Sequence, residues 1–388
     1  RLVKGLDRSR YGPHVLLGAS NSYVSRFRAL GAPVIVLGQE PSQGRGEAVG
    51  VESLRRSRTT GWLKRHVLGE RLVHLVGFYV RAWPALRREA GEITQIIRTI
   101  KPDLVHLNDD VCVSRSGIMA ARRARVPAIC HLRAMAWRNH FDRWISCWLR
   151  GYICISKAVD AHQRKLGGRA DPSWVVYNGL DLAEFDVPVD RAALRAQGGL
   201  NDGDEIVACV GRLVAWKGQH VLIEALARLA PDRPRLRALI VGEAGSSGQG
   251  YAQELKDLAR ALGVKDRVVF AGFRDDIVSL LHGVDVLVHT STLPEPFGRV
   301  IIEGMAAGAP VVGANAGDVP EIIQDGMNGL LTPPGDAWAL AQAIARILDH
   351  PDEAQAMRQT ARQAVETRFT TARYVSGVEH VYEVIWGD

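Results

Sequence analysis

Glu295-Pro296-Phe297-Gly298-Arg299-Val300-Ile301-Ile302-Glu303 runs from a loop into a helix and places seven residues between two carboxylates. The strand-like Val284-Asp285-Val286-Leu287-Val288-His289 precedes it, and Gly304-Met305-Ala306-Ala307-Gly308-Ala309-Pro310-Val311-Val312 follows. Glu295 falls on the loop, and Glu303 about a turn and a half into the helix. Phe297 and Gly298 are expected to offer bare backbone N–H groups at the helix start, where the dipole favours phosphate. A carboxylate accepts paired hydroxyls well. The stretch therefore suits a ligand with phosphate at one end and polyol hydroxyls at the other, which describes a nucleotide sugar.

A second loop has complementary chemistry. Gly211-Arg212-Leu213-Val214-Ala215-Trp216-Lys217-Gly218 follows the strand Ile206–Val210 and opens the helix Gln219–Leu229. Ligands of parallel sheets gather at the carboxyl ends of strands. There Arg212 can fork onto a phosphate while Lys217 supplies a point charge. Together they would neutralise a diphosphate without a metal. Gly242, after the strand Arg237–Val241, lets backbone approach a ligand. The turn Gly272-Phe273-Arg274 can hold a base through its backbone. His131 ends the strand Ala128–His131 and could bond a sugar hydroxyl across a cleft, although a lone His also fits a structural role. Asn108-Asp109-Asp110 reads as a helix cap or an acceptor contact.

Strand-length apolar runs alternate with helix-length segments along the whole chain. Val34–Leu37, Leu104–Leu107, Ala128–His131, Tyr152–Ser156 and Trp174–Tyr177 read as strands of the first half. A break at Asn178-Gly179 leads into a polar segment to Asp204, after which the alternation restarts at Ile206. Such repetition predicts parallel sheets covered on both faces. Residues 51–90 mix Arg with Trp, Phe and Leu, as an interfacial helix does, and equally as an amphipathic helix packed on a sheet.

With 388 residues, 47% hydrophobic and 23% charged, the chain has the composition of a folded protein of two domains. It has no run of 18 apolar residues to span a bilayer and no secretory pattern. Five cysteines without a CxxC pair point to reduced thiols rather than a zinc site. Charge is uneven. Residues 1–180 carry 30 Lys and Arg against 13 Asp and Glu, a balance of +17, and the remainder carries −10. The first half is thus suited to an anionic partner: a phosphorylated substrate, an anionic membrane face or nucleic acid. Low aromatic content and the lack of a recognisable module argue against nucleic acid.

On these motifs the chain resembles retaining glycosyltransferases of family 4. The resemblance rests on Gly211-Arg212…Lys217-Gly218, Glu295-Pro296-Phe297-Gly298…Glu303, Gly317-Asp318-Val319-Pro320-Glu321, Asp325-Gly326…Asn328-Gly329-Leu330-Leu331 and the interdomain Val175-Val176-Tyr177-Asn178-Gly179-Leu180-Asp181. It implies an α/β GT-B fold: two facing Rossmann-like domains with parallel sheets. Residues 1–178 would bind acceptor and 179–370 the nucleotide-sugar donor, with 371–388 crossing back onto the first domain. By the same resemblance Arg212 and Lys217 hold the donor diphosphate, and Glu303 accepts ribose hydroxyls. Phe297 and Gly298 contact phosphate or sugar through backbone, and Glu295 and His131 face the transferred sugar as catalytic residues. Gly211, Gly242 and Phe273 join the expected donor site from their own place in loops after strands. No cofactor or metal is implied. The leaving phosphate itself would deprotonate the acceptor, with Glu295 steadying an oxocarbenium-like charge.

The expected acceptor is a glycan or lipid-linked hydroxyl, and the expected location cytoplasmic, with the basic domain peripheral on the inner membrane face. One departure stands out: the family pattern opens with a strand and a Gly-rich loop, and Arg1–Tyr11 resembles the end of the helix that follows them. The N-terminal domain is thus expected to lack that unit. Two other readings share the fold: a nucleotide-sugar epimerase, and a catalytically silent sugar-nucleotide binder.

Overall fold

A computed structural model describes residues 1–37, 82–167, 171–186, 195, 201, 203–245 and 249–387. Most of the basic-aromatic segment read between 51 and 90 lies outside the described residues. Its end, Trp83, opens the helix Trp83–Ile100, whose buried stripe is Ala90, Ile93, Thr94 and Ile97. Pro84 falls in its first turn, where a missing N–H costs no intrahelical bond, and its exposed face is rich in Arg.

In the first half, strands β1 (Val15–Leu17) and β2 (Val34–Val36) form one parallel pair. Strands β3 (Val105–Leu107), β4 (Ala128–Leu132), β5 (Gly151–Cys154) and β6 (Ser173–Val175) form a second, all-parallel sheet in sequential order. β4 and β5 are buried at every position, which explains why they read as continuous apolar runs.

The second half builds a six-stranded parallel sheet from β7 (Glu205–Val210), β8 (Leu236–Val241), β9 (Val268–Gly272), β10 (Val286–His289), β11 (Val311–Ala314) and β12 (Leu330–Thr332). Its order is β12-β11-β10-β7-β8-β9. The chain therefore winds outward from β7 to one edge, returns to β10 beside β7, and winds to the other edge. The crevice between β7 and β10 is the switch point, where the loops leaving the two strands diverge and a ligand can enter.

The terminal helix Thr371–Gly387 packs on the first half, not the second. Tyr374, Val375, Val378, Val381 and Tyr382 bury against Ile129, Ile153 and Val176 of the first lobe. The chain thus crosses between lobes twice, and the crossings are hydrogen-bonded to each other. Leu180 N–H donates to Phe369 O at 2.7 Å, and Thr371 N–H to Leu180 O at 2.8 Å.

Contacts between lobes are specific. The Glu321 carboxylate accepts from Lys157 N–H (2.8 Å) and Ala158 N–H (2.7 Å), the first amides of the helix Lys157–Lys165, and from the Tyr177 hydroxyl at 2.9 Å. It thereby satisfies amides that a helix start leaves unpaired and complements the dipole. Beside it, Ser156 Oγ donates to Pro296 O at 2.8 Å, and the rings of Tyr177, Phe297 and Phe369 pack together.

Close approach at the crossing demands Gly179: an added Cβ would lie 2.2 Å from Thr370 O. Gly179→Ala is expected to destabilise the protein by about 2 kcal/mol through overpacking against backbone that cannot rotate away, as read from the shift in urea midpoint.

Candidate active site

The two loops singled out by sequence meet at the switch point. The turn after β7 is held from both sides. Gln219 Nε2 donates to Arg212 O at 2.9 Å, Thr290 Oγ1 to Lys217 O at 2.8 Å, and Thr292 N–H to Trp216 O at 2.8 Å. Gly218 sits at φ +70°, and a Cβ there would lie 2.0 Å from Thr290 O, so only glycine lets the turn press against the end of β10.

That approach brings Lys217 onto Glu295. The two form an ion pair, and the same Glu295 Oε1 accepts from Ser291 Oγ and bonds His289 Nε2 at 2.9 Å. Burial alone pushes the Glu295 carboxyl up, but the His289 hydrogen bond and the Lys217 charge outweigh it and hold the group at about 2. Glu295 is therefore an anion wedged among donors at the ligand-binding end of the sheet.

The neighbouring loop ends complete a glycine-rich floor. Gly211 N–H donates to Val241 O at 2.9 Å, and Gly242 N–H to Gly272 O at 2.7 Å. Gly242 lies at φ +135°, with room for a Cβ denied by Gly211 O at 2.1 Å. Above this floor Arg212 is exposed and makes no ion pair among the described residues, and Phe273 is 69% exposed. Glu303, on the helix Arg299–Ala306, pairs with Arg299 at 2.7 Å. Burial raises its pKa, and the Arg299 and Arg1 charges offset only part of that.

Three placements differ from the sequence expectation. Gly298 N–H is not bare: it donates to Asp318 Oδ2 at 2.9 Å, so a buried carboxylate already occupies the helix start. Phe297 turns its ring into the interlobe aromatic cluster and is 7% exposed. His131 is wholly buried in β4, where it contacts His106 and Tyr374. It stands on the face covered by the terminal helix rather than beside Glu295 and Lys217 in the cluster just described.

Sequence reasoning missed His289, Ser291 and Asp318 as site residues. His289 and Ser291 alternate on the strand end leading to Glu295, a period-two signal that was available. Asp318 lay inside a quoted motif, but its reach back to Gly298 depends on how Gly317 packs on Glu295. A Cβ at Gly317 would lie 2.4 Å from Glu295 O. Burial pushes the Asp318 carboxyl up to about 7, the Glu295 and Glu321 charges add to this, and the Gly298 bond opposes it.

Known proteins resemble this chain in sequence and in fold. Residues 22–184 match the family described as Glycosyltransferase Family 4, and residues 190–364 match Glycosyl transferases group 1. The chain belongs to the family 4-like glycosyltransferases of GT-B fold. HepE from Anabaena, solved in complex with UDP and glucose, superposes with a TM-score of 0.78 at 28% identity over 98% of this chain and 94% of its own. A glycosyltransferase from Rickettsia africae, at 20% identity and a TM-score of 0.80 over 99% of this chain and 93% of its own, shares the fold. Among curated relatives, D-inositol 3-phosphate glycosyltransferase of Mycolicibacterium smegmatis is 34% identical over 269 residues, 68% of this chain and 58% of that protein. The enzyme of that name from Mycolicibacterium gilvum is 40% identical over 193 residues, 48% of this chain and 42% of its own. The chain spans about half the length of the curated relatives it matches.

The two carboxyls have opposite pH windows. Glu295 titrates at about 2 when folded against an ordinary 4.5, so its contribution to stability is present above 4.5 and lost as pH falls toward 2. Asp318 titrates at about 7 against an ordinary 3.8, so its contribution is complete below 3.8 and lost as pH rises through 7. Glu295→Gln is therefore expected to flatten the acid limb of the stability–pH curve. Asp318→Asn, which keeps an acceptor for Gly298, should flatten the limb between about pH 4 and 7 by on the order of 1 kcal/mol or more. Urea melts across pH 2–8 measure both.

Proposed function

We propose that the chain transfers a hexosyl group from a nucleoside diphosphate sugar to an acceptor hydroxyl with retention of anomeric configuration. The observation that supports this best is the meeting of Lys217 and Glu295 at the switch point. One group is a cation suited to a departing diphosphate. The other is a carboxylate held ionised, suited to positive charge developing on the sugar ring.

In this reading Arg212 and Lys217 take the diphosphate over the floor made by Gly211 and Gly242. Glu303 receives the ribose hydroxyls, exchanging its bond with Arg299 for them, and the exposed Phe273 ring lies near the base. Glu295 steadies the oxocarbenium-like transition state without attacking it, and the leaving phosphate takes the acceptor proton. Charge balance is then met by protein cations, so no divalent metal is needed for donor binding. That HepE binds UDP and glucose supports a uridine donor.

For the acceptor, the +17 balance of residues 1–180 favours an anionic molecule. The relatives named for inositol 3-phosphate support a phosphorylated polyol or lipid-linked phosphate over a neutral glycan. No helix among the described residues is long and apolar enough to cross a membrane. If the acceptor is lipid-linked, attachment would rest on the basic lobe at the membrane surface, at about 1 kcal/mol for each Lys or Arg near an anionic leaflet.

UDP in the presence of a chelator is expected to raise the melting temperature. At a hundredfold excess over Kd the stabilisation is about 2.7 kcal/mol. Lys217→Ala should lose most of that shift and Arg212→Ala a part of it. The decisive assay is a panel of sugar nucleotides with inositol phosphate and lipid-phosphate acceptors, scored for product and its anomeric configuration. A thermal response to no nucleotide would count against the reading, and epimerised donor without transfer would replace it.

A further inference from the structure

His106 and His131 occupy one face of the β3–β6 sheet. Parallel pairing sets His106 opposite Ile129, and two residues further along β4 His131 returns to that face. Over it lies the terminal helix, with Tyr374 and Tyr382 about two turns apart. The groups form a chain of hydrogen bonds. Tyr382 Oη meets His106 Nδ1 at 2.6 Å, and His106 Nε2 meets His131 Nδ1 at 3.1 Å. His131 Nε2, at the end of the chain, is buried and has no partner among the described residues.

Both rings are held neutral. Burial, then the Arg133 guanidinium, lowers His106 to about 3, and burial, Arg133 and His106 lower His131 well below the ordinary range. Three phenols, Tyr11, Tyr374 and Tyr382, share this face with aliphatic side chains, and the Glu379 carboxylate bears on Tyr382. Tyr374 accepts from Arg133 Nη2 at 2.7 Å, and Tyr11 packs its ring on Tyr382 at 5.7 Å. Arg133 is committed elsewhere as well, to Asn108 and Asn178. What can vary at His131 is thus the position of its one ring proton and not its charge.

Two neutral arrangements satisfy the chain. In one, Tyr382 donates to His106 Nδ1, His106 Nε2–H donates to His131 Nδ1, and His131 carries its proton on Nε2. In the other every bond is reversed, and His131 ends in a bare nitrogen. The reversed arrangement also strands the Tyr382 hydroxyl hydrogen, because His106 is the only partner of that hydroxyl among the described residues. Tyr382 is 8% exposed, so water offers little relief. The first arrangement leaves one unmet group and the second leaves two, and unmet buried groups are costly.

We propose that Tyr382 and His106 form a relay that fixes His131 as the Nε2–H tautomer, so that the terminal helix determines whether this histidine presents a donor or an acceptor. A ring nitrogen takes its role from the bond made by the other. Both relay residues are positioning residues acting through His131. An Nε2–H suits an oxygen acceptor, such as a hydroxyl of the transferred sugar, and this last step rests on the proposed transferase reading.

The test combines ring 15N spectra of histidine-labelled protein with steady-state kinetics. In the native protein His131 should carry its proton on Nε2. Tyr382→Phe keeps the ring and removes the hydroxyl; His131 should then show the Nδ1–H form in part or whole. Transfer should fall by about tenfold or more in kcat, as for a histidine held in the wrong tautomer. KM for the sugar nucleotide and the melting shift with UDP should be unchanged. Tyr374→Phe, on the same helix but outside the relay, should leave the His131 spectrum unaltered. Retention of the pure Nε2–H form in Tyr382→Phe would overturn the relay, and a tautomer change with kcat intact would overturn its positioning role. A native protein with no transfer activity would sink the functional reading instead, while the spectra alone would still decide the relay.

Discussion

The ion pair between Lys217 and Glu295 is the constraint around which the second lobe is arranged. Taking two charges out of water is costly, and the attraction between them compensates only when further hydrogen bonds satisfy the carboxylate. Here His289 and Ser291 supply those bonds, and both come from the strand end that leads into the Glu295 loop. The pair also requires the β7 turn to lie against β10, which Gly218 permits and Thr290 secures. Strand order, glycine placement and the polar residues after β10 are thus parts of one solution. A sheet with the same strands in a different order would separate the cation from the carboxylate.

Much of this was legible in the sequence because the signals were local. The helix Gln219–Leu229 is read with the bounds it has in the structure, set off by Gly218 at its start, and the strand-like run Val284–His289 contains the observed strand Val286–His289. The motif loops followed from their place after strands. What was lost depended on distance in sequence. Strand Leu330–Thr332 is three residues long, and helix His140–Ile145 is six, too short for any periodicity to register. Asp318 capping Gly298, Glu321 bridging to the helix at Lys157, and His106 bonding His131 join residues 20, 164 and 25 positions apart. Such partners come from packing of elements, and no spacing rule announces them.

The interlobe contacts gather around the two chain crossings. Leu180 and Thr371 are tied there by backbone hydrogen bonds. Glu321 stands close by, its backbone oxygen accepting from Arg368 Nη2 and its carboxylate from the Tyr177 hydroxyl, and Ser156 adds its bond to Pro296 O. Phe297 belongs to the loop that carries Glu295 but packs its ring between Tyr177 of the first lobe and Phe369 at the crossing. Its neighbour Gly298 is bonded to Asp318. One aromatic ring and one backbone amide thus form a route from the first lobe to the Glu295 loop.

That route gives Asp318 a meaning that its burial alone would not. A carboxyl with no exposed surface, one oxygen on the Gly298 amide and the other without a partner among the described residues, immediately precedes the Val319–Ile322 helix segment that carries Glu321. It is anionic or neutral according to the charges around it, because burial has raised it to about 7. The anionic form accepts more strongly from Gly298, and the neutral form gains a hydrogen to donate. The protonation state of Asp318 therefore bears on the amide next to Phe297, the ring that ties this loop to the opposite lobe.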